Sequence, residues 1–330
     1  MTARAFWTVG PGHGELRTET LPPPSVNEAL VRTLASGVSR GTESLVFAGR
    51  VPASQHAAMR CPSQVGDFPF PVKYGYSAVG VVEAGPSALL GRRVFCLHPH
   101  QDRFLAPVAM LSPVPDALPT RRAVLAANME TALNIAWDAA ALPGERVLVI
   151  GAGVVGLLAA HLLARVPGVT LTVIDTDPAK AGVAAALGLA FAAPADAPDE
   201  AELIVHASGA PDGLALALTR AAFEARIIEA SWFGDRAVPL PLGEAFHSRR
   251  LRLISSQVGA VATPMRSRRS HGERLALALT LLDDARLDAL LDGPTPFDDL
   301  PATSVVPCGR LTAVWRVLQI CFAPEPWQGV

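Results

Sequence analysis

The first third of the chain alternates apolar and polar residues over short stretches, which is the pattern of β-strands. The segments EALVRTLASGVS, SAVGVVEAG and GRRVFCLHPHQDRFLAP show it. Prolines and glycines separate these segments at short intervals, as they do in small barrels and sandwiches. The pattern therefore predicts a β-rich region over residues 1–125.

Near residue 120 the apolar residues change to helical spacing, which begins in TRRAVLAANMETALNIAWDAAAL. Beyond it, short apolar runs that predict strands alternate with helical segments. The predicted strands are VLVI, VTLTVID, ELIVHASG, ARIIEASW and RLRLISSQ, and the predicted helices are VGLLAAHLLARV, PAKAGVAAALG, DGLALALTRAAF and ERLALALTLLDD. This alternation predicts a parallel, doubly wound sheet of the α/β class. A final helix or strand is predicted around TAVWRVLQI.

The length and charge of the chain narrow the choice of partners. A chain of 330 residues favours two domains. Lys and Arg number 28 against 30 Asp and Glu, so a net charge of −2 gives no electrostatic reason to bind nucleic acid or an anionic membrane. His161 and Arg165 interrupt the longest apolar run, and the N-terminus has no signal-peptide pattern. We therefore expect a cytoplasmic protein with a small-molecule substrate and with neither nucleic acid nor a membrane as partner.

The cysteines indicate no metal knuckle. Cys61, Cys96, Cys308 and Cys321 lie far apart, and none forms a CxxC pair. This spacing favours reduced thiols over a structural zinc site or a disulfide framework.

A glycine-rich turn follows the first predicted strand of the α/β region. Gly151, Gly153 and Gly156 match G-x-G-x-x-G in VLVIGAGVVG, with Val154 and Val155 opening the helix. The first glycine allows a tight turn, the second lets backbone approach a pyrophosphate, and the third lets the helix pack closely on the sheet. The sequence therefore predicts a dinucleotide-binding turn at the start of this helix. The alternative is a nucleotide-free domain in which the glycines serve the turn alone.

Two further residues are predicted to contact the dinucleotide. Asp175 ends the second strand, where a carboxylate accepts hydrogen bonds from the adenosine ribose and repels a 2′-phosphate, so we expect NAD rather than NADP. Asp177 is the alternative ribose contact. Ser208 lies at the end of the strand predicted in ELIVHASGA. We therefore expect it at the crevice where ligands of such sheets bind.

These features together resemble the medium-chain dehydrogenase/reductase superfamily over nearly the whole chain. GVSRGTE at 37–43 resembles its G-I-C-R/G-S/T-D segment, KYGYSAVG at 73–80 its G-H-E stretch, and GVVEAGP at 80–86 its G-x-V-x-x-x-G turn. The resemblance implies a GroES-like catalytic domain over 1–125, completed by 282–330, and a Rossmann domain over 126–281. It also implies that Arg40 contacts the cofactor pyrophosphate and that substrate and nicotinamide meet between the domains.

The departures from the family concern its catalytic zinc. Ser39 stands at the position of a ligand Cys, and Tyr76 and Ser77 stand at the positions of the ligand His and Glu. Glu130 is near the position of the third ligand, and the four-cysteine lobe is absent. One suitable ligand cannot hold Zn²⁺, so the resemblance implies a zinc-independent member with no metal site. A non-standard site of His98 and His100 with Glu130 is the alternative.

A zinc-free enzyme needs side chains that handle the proton of the alcohol. Tyr76 is the first candidate, because a phenol can donate to a carbonyl oxygen. Glu130 is the second, as a base or as a partner to Tyr76. Ser39 and Thr42 are predicted to relay a proton.

We therefore expect an NAD(P)-dependent alcohol dehydrogenase/reductase that uses NAD(H) to interconvert a secondary alcohol and a ketone. The pattern is most similar to the bacteriochlorophyllide (hydroxyethyl) dehydrogenases. The alternatives are a quinone or enoyl reductase of the same superfamily and a non-catalytic nucleotide-binding redox partner. The basic run RSRRSHGER at 266–274 is either an anion clamp or a solvated face. A homodimer is expected, because LRLISSQ would leave an edge strand that can pair across a two-fold axis.

Overall fold

The structure is a computed structural model that describes residues 1–302 and 316–322. The chain forms two compact units. The first contains Met1–Ala127, Leu275–Asp284 and the described residues from Leu291 onward, and the second contains Asn128–Arg274 and Ala285–Leu290.

Strands and helices are numbered along the chain. The strands are β1 (Thr2–Gly10), β2 (His13–Thr20), β3 (Glu28–Val38), β4 (Val65–Gly66), β5 (Val72–Lys73), β6 (Ala78–Ala84), β7 (Arg93–Cys96), β8 (Arg103–Pro107), β9 (Ser112–Pro113), β10 (Arg146–Ile150), β11 (Thr170–Ile174), β12 (Ala190–Ala192), β13 (Ala201–His206), β14 (Ala221–Glu229), β15 (Arg252–Ser255), β16 (Leu291–Pro296) and β17 (Val317–Cys321). The helices are α1 (Arg40–Phe47), α2 (Thr120–Ala123), α3 (Ala126–Ala139), α4 (Val154–Leu163), α5 (Ala181–Ala186), α6 (Pro211–Arg220) and α7 (His271–Leu281).

The first unit is built on two sheets. One has the order β2-β1-β5-β4, and the other has the order β16-β17-β3-β6-β7-β9, with β8 also paired to β3. β17 runs antiparallel to β3 and places Ile320 opposite Ser36. Strands β16 and β17 from the last part of the chain therefore belong to the same sheet as β3 from its first part. The alternating pattern of β3 puts Val31 and Ala35 in the core, where both are fully buried.

The second unit is a parallel sheet of six described strands in the order β12-β11-β10-β13-β14-β15. This is the 3-2-1-4-5-6 order of the doubly wound fold, and it confirms the predicted α/β class. The central strands are apolar on both faces because helices cover a parallel sheet on both sides. Val149, Val173 and Val205 are fully buried accordingly.

Most predicted elements are confirmed, and the differences have local causes. Helix α1 lies in the region that the pattern predicts to be β-rich. Its eight residues are too few to change a pattern dominated by β alternation, so the pattern does not reveal the helix. The helix predicted from Thr120 onward is divided into α2 and α3. The residues AAF, predicted to end α6, belong to β14, where Ala221 and Ala222 are buried. The predicted element around TAVWRVLQI lies partly outside the described residues, and its described part is β17.

LRLISSQ contributes β15, which is at one edge of the second unit's sheet. Across residues 1–302 and 316–322, no helix combines the length and apolarity that crossing a membrane requires.

The close packing of α4 on β10 makes a stability prediction. A Cβ on Gly156 would lie 2.0 Å from the Gly151 carbonyl oxygen, so the backbone must shift to admit it. We expect Gly156→Ala to lower the free energy of unfolding by about 1–3 kcal/mol, the usual cost of overpacking. Gly182→Ala is the control, because nothing lies within 4 Å of its Cβ position in α5 and alanine favours a helix. Urea unfolding measures both, and equal stability of the two variants would contradict the prediction.

Candidate functional site

The glycine turn of the second unit has the shape of a phosphate cradle. Gly151 has φ +111°, and a Cβ there would lie 2.6 Å from the Ser208 backbone nitrogen. Gly153 precedes α4, offers no capping side chain, and has no atom within 4 Å of its Cβ position. Helix α4 begins with the partly exposed Val154 and Val155, and the first N–H groups of a helix have no partner within the helix. A pyrophosphate fits this arrangement, since a helix N-terminus provides N–H donors and a partial positive charge.

Asp175 is hydrogen-bonded directly to this turn. Its Oδ2 accepts the Ala152 N–H at 2.8 Å and the Lys180 ammonium at 2.8 Å, while Oδ1 accepts the Asp177 N–H at 3.0 Å. Asp177 has a different task, because its carboxylate caps the following turn by accepting the Ala179 N–H. Lys180 was not predicted as a partner of Asp175, although a cation five residues after an Asp at the end of a strand could have indicated this pair.

A second hydrogen-bonded cluster follows β13 and β14. The buried His206 bonds the Ser208 hydroxyl through Nε2 at 2.6 Å and the Glu229 carboxylate through Nδ1 at 2.7 Å. The Ser231 hydroxyl accepts the Gly209 N–H at 3.0 Å. These contacts hold together the loops that follow both strands at the carboxyl edge of the sheet. Ser208 was predicted at this edge, but His206 and Glu229 were not.

In the first unit, three of the predicted catalytic side chains come together. The Tyr76 hydroxyl forms hydrogen bonds with the side chains of Ser39 and Thr42. Burial raises the pKa of the Tyr76 phenol, the negative charge of Glu43 raises it further, and the two hydroxyl partners oppose the rise. The phenol is thus held in its protonated form, which can donate a hydrogen bond.

Beside this cluster lies a pair that the sequence did not reveal. Glu43 is in the first turn of α1, and its Oε2 bonds His100 Nε2 at 2.8 Å. His100 Nδ1 bonds the Ser36 hydroxyl at 2.8 Å, and both His100 and Ser36 are buried. The side chains of Glu43, His100 and Ser36 therefore connect helix α1 to the loop after β7 and to β3.

The positions that resemble zinc ligands carry a different set of donors. Ser77 Oγ donates to the Val124 carbonyl at 2.5 Å, and Ser39 and Tyr76 bond each other. Neutral hydroxyls engaged in this way do not fit Zn²⁺, which binds thiolate, imidazole and carboxylate. His98 stacks on Phe104 with ring centroids 3.9 Å apart. Within the described ranges, no group of three His, Cys, Asp or Glu side chains has a geometry suited to a metal ion.

Glu130 has a structural partner in the second unit. Its Oε1 accepts from Arg274 Nε at 3.0 Å, and both side chains are buried. Arg274 also bonds the Asn134 side chain at 2.7 Å and the Val258 carbonyl at 2.6 Å. Burial raises the pKa of Glu130, and the Arg274 charge opposes the rise. Glu130 was predicted as a base or a partner to Tyr76, but the contacts recorded for it are those of a buried counterion.

Arg40 and part of the basic run 266–274 are at the surface. Arg40 is exposed at the start of α1. The basic run 266–274 is divided, because Arg266, Arg268 and Arg269 are exposed whereas Arg274 is fully buried.

Comparisons with known proteins show the fold. A scan against protein-family models finds no match. Among solved structures, L-idonate 5-dehydrogenase from Escherichia coli K-12 matches with a TM-score of 0.79 at 15% identity, over 98% of this chain and 99% of that chain. A short chain alcohol dehydrogenase from E. coli CFT073 complexed with NADH matches with a TM-score of 0.76 at 17% identity, over 97% and 99%. A protein described as a zinc-binding dehydrogenase, from Sinorhizobium meliloti 1021 and bound to NADP, matches with a TM-score of 0.77 at 16% identity, over 97% of this chain and 99% of that chain. This chain therefore has the two-domain fold of these dehydrogenases.

His98 makes a prediction about stability and pH. Burial lowers its pKa from 6.5 to about 3, so the folded protein keeps it neutral while the unfolded chain protonates it. Between about pH 3 and pH 6.5 the unfolded state therefore binds more protons than the folded state. The contribution of His98 is therefore complete above about pH 6.5 and is lost as the pH falls, by at most about 1.4 kcal/mol per pH unit.

Urea unfolding between pH 7 and pH 4 measures this dependence. We expect His98→Phe, which keeps a flat ring against Phe104, to lose stability less steeply with falling pH than the parent protein. His13→Gln is the control, because His13 is exposed. Parallel slopes for the parent and His98→Phe would show that His98 makes no such contribution.

Proposed function

We propose that the protein is a zinc-independent, nicotinamide-dependent oxidoreductase of the medium-chain dehydrogenase/reductase superfamily. It interconverts a secondary alcohol and a ketone by hydride transfer. The observation that carries the proposal is the hydrogen-bonded cluster of Tyr76, Ser39 and Thr42 in a chain that also contains a phosphate-binding glycine turn. The cluster supplies a proton donor, and the glycine turn supplies a binding site for the cofactor.

The second unit holds the cofactor in this proposal. Gly151, Gly153 and Gly156 shape the turn that receives the pyrophosphate at the start of α4, and Asp175 accepts hydrogen bonds from the adenosine ribose. Ser208 and Arg40 are further proposed contacts. The bound nicotinamide supplies or accepts the hydride.

Tyr76 handles the proton. In the reductive direction its phenol donates a hydrogen bond to the substrate carbonyl and stabilises the negative charge that develops on the oxygen. Ser39 and Thr42 hold the phenol in place and return a proton to it afterwards. Glu130 is left out of this machinery, because Arg274 compensates its charge.

The proposed zinc independence rests on the side chains that stand at the positions resembling the zinc ligands of the superfamily. Lewis acidity would otherwise stabilise the alkoxide. Here the hydroxyls of Ser39 and Ser77 and the phenol of Tyr76 stand at the positions that resemble a ligand Cys, Glu and His, so in this proposal proton donation replaces metal coordination. The similarity of SGVSRGTE and KYGYSAVG to bacteriochlorophyllide dehydrogenases supports a secondary alcohol or ketone as the reacting group.

We further propose NAD(H) as the cofactor, a homodimer paired through the edge strand β15, and work in the cytoplasm. Asp175 supports NAD(H), because its carboxylate follows the second strand of the sheet, where a carboxylate accepts hydrogen bonds from the adenosine ribose. The edge position of β15 supports the dimer, since its outer backbone groups have no strand partner within the described sheet.

Replacing Tyr76 tests the catalytic role. We expect Tyr76→Phe to lower kcat for ketone reduction by about 100-fold or more, the usual contribution of general acid catalysis, with NADH affinity unchanged. Tyr74→Phe is the matched control, because Tyr74 is the other tyrosine of the chain and lies edge-on to Tyr76 with ring centroids 6.0 Å apart. Tyr74→Phe should keep its activity.

The same preparation is analysed for metal. One zinc per chain would overturn the zinc-free proposal. Full turnover in Tyr76→Phe would remove Tyr76 from the mechanism and favour reduction of an activated C=C bond. Nucleotide binding without turnover of any alcohol or ketone would favour the non-catalytic nucleotide-binding alternative, and absence of nucleotide binding in the parent protein would overturn the proposal.

Replacing Asp175 tests the choice of cofactor. We expect Asp175→Ser to weaken NADH binding about tenfold or more, equal to about 1.4 kcal/mol, and to reduce the preference for NADH over NADPH. Asp177→Ser is the control, because serine can still cap the turn that Asp177 caps. Fluorescence titration of both dinucleotides measures the effect. If Asp177→Ser alone weakened NADH binding, Asp177 would be the ribose contact.

A further inference from the structure

The proposed function leaves the basic run 266–274 without a role, and part of this run lines a cleft in the second unit. The cleft is lined by residues 259–261, which belong to the loop after β15, by Arg266 and by residues 269–271. Its volume is about 510 Å³, which is within the range of small-molecule sites. Within the described part of the chain, no Asp or Glu side chain lines it.

Basic side chains already occupy the carbonyl oxygens of this loop. Arg274 donates to the carbonyls of residues 258 and 260 at 2.6 and 3.2 Å. His271 Nε2 lies 3.1 Å from the carbonyl oxygen of residue 259, and Arg266 Nε donates to that of residue 261 at 3.1 Å. A carbonyl oxygen can only accept, so His271 Nε2 carries a hydrogen. The acceptors of the loop are therefore used, and the side chains around the cleft are donors.

The arginines of the cleft keep donors that a ligand can use. Arg266 is exposed and uses Nε for its bond to the loop, and no partner of its terminal NH₂ groups is recorded within residues 1–302 and 316–322. Arg269 is also exposed, and over the same ranges no hydrogen bond or ion pair is recorded for it. A guanidinium in this situation can bind an anion through two parallel N–H groups.

The nearby carboxylates have partners of their own. Glu273 Oε2 accepts the Ser270 N–H at 2.8 Å and the Ser270 hydroxyl at 2.9 Å, and that hydroxyl accepts the Glu273 N–H at 3.2 Å. This is a capping box at the start of α7. The bonds to Ser270 lower the pKa of Glu273, and the charge of Arg269 adds a smaller effect. Glu130 is paired with Arg274. One exposed carboxylate thus faces two arginines, and the cleft keeps a positive charge.

A buried network holds the loop side of the cleft in place. Arg274 is buried and bonds Glu130 at 3.0 Å and the Asn134 side chain at 2.7 Å, in addition to the loop carbonyls. The same Asn134 oxygen accepts the Ala262 N–H at 2.9 Å. The loop is therefore bonded from both its carbonyl and its amide side. A cleft that is ordered before the ligand arrives loses less entropy on binding.

We propose that this cleft is a phosphate-binding site in which Arg266, Arg269 and His271 hold the anion. A phosphate monoester carries a charge of about −2 and three strong acceptor oxygens, so it can bind both guanidinium groups, whereas one arginine fork satisfies a carboxylate. The volume leaves room for the organic part of a monoester. The site shares no residue with the glycine turn at Gly151–Gly156, so it is additional to the proposed cofactor site.

Titration followed by ³¹P NMR tests the site with two ligands, inorganic phosphate and glycerol 3-phosphate. Ionic strength is kept constant, because salt screens exposed charges. We expect the double variant Arg266→Gln/Arg269→Gln to bind both ligands about tenfold or more weakly than the parent protein, because it loses charge-assisted hydrogen bonds. The double variant Arg236→Gln/Arg268→Gln is the control. It removes the same charge from exposed arginines that do not line the cleft, so it should bind like the parent.

No binding by the parent, or equal affinities in the two double variants, would overturn the proposal. Phosphate held at the start of α4 instead would be displaced by NADH and would not respond to the substitutions, which would also overturn it. Displacement by acetate at equal concentration would overturn the assignment to phosphate. Tighter binding of glycerol 3-phosphate than of inorganic phosphate would support the site with an esterified ligand, and equal binding would support it with the free ion.

Circular dichroism checks that each variant is folded. If Arg266→Gln/Arg269→Gln does not fold, Arg269→Gln alone decides by the same comparison, because no hydrogen bond of Arg269 within the described ranges supports the fold. The titration needs neither turnover nor Tyr76. Its result is therefore separate from that of the Tyr76→Phe assay and from the proposed function.

Discussion

A buried carboxylate is costly unless it is hydrogen-bonded, and in the first unit both oxygens of Glu43 have partners. An uncompensated charge in a protein interior costs several kcal/mol, so the partners of Glu43 cannot separate freely. These partners join α1, β3 and the loop after β7, and the same loop accepts the Phe6 N–H through the His100 carbonyl at 2.9 Å. Gly75, the residue before Tyr76, lies close to the same ring, since a Cβ there would lie 3.2 Å from His100 Nε2.

In the second unit, close backbone contacts hold the loops at the carboxyl edge of the sheet in place. The carboxyl ends of parallel strands leave loops at one edge, and these loops must be held if they are to bind a ligand reproducibly. Gly151 and Gly156 permit backbone contacts that no side chain could tolerate. The buried His206, bonded to Ser208 and Glu229, fixes the loops after β13 and β14. Gly213 makes room for this bond, since a Cβ there would lie 2.6 Å from the Ser208 hydroxyl.

The parts of the site that were predicted share a local signal. The glycine turn could be recognised because its three glycines, its strand and its helix are adjacent in sequence. Asp175 was found for the same reason, and Lys180 could have been found from its spacing. Ser39, Thr42 and Tyr76 were identified through resemblance to a family pattern rather than from any visible contact. The Glu43–His100 and His206–Glu229 pairs had no such signal, because their members are 57 and 23 residues apart.

The sequence by itself determined the types of the strands and helices, the doubly wound class of the second unit and the glycine turn. Each of these follows from side-chain periodicity or from backbone freedom within a few residues. Only the tertiary structure decided the partners of the buried polar groups. Glu130 illustrates the difference, since its place in a helix was predictable but its ion pair with Arg274, 144 residues away, was not. Whether a carboxylate is a base or a counterion depends on which groups folding brings within about 3 Å, and periodicity contains no information about that distance.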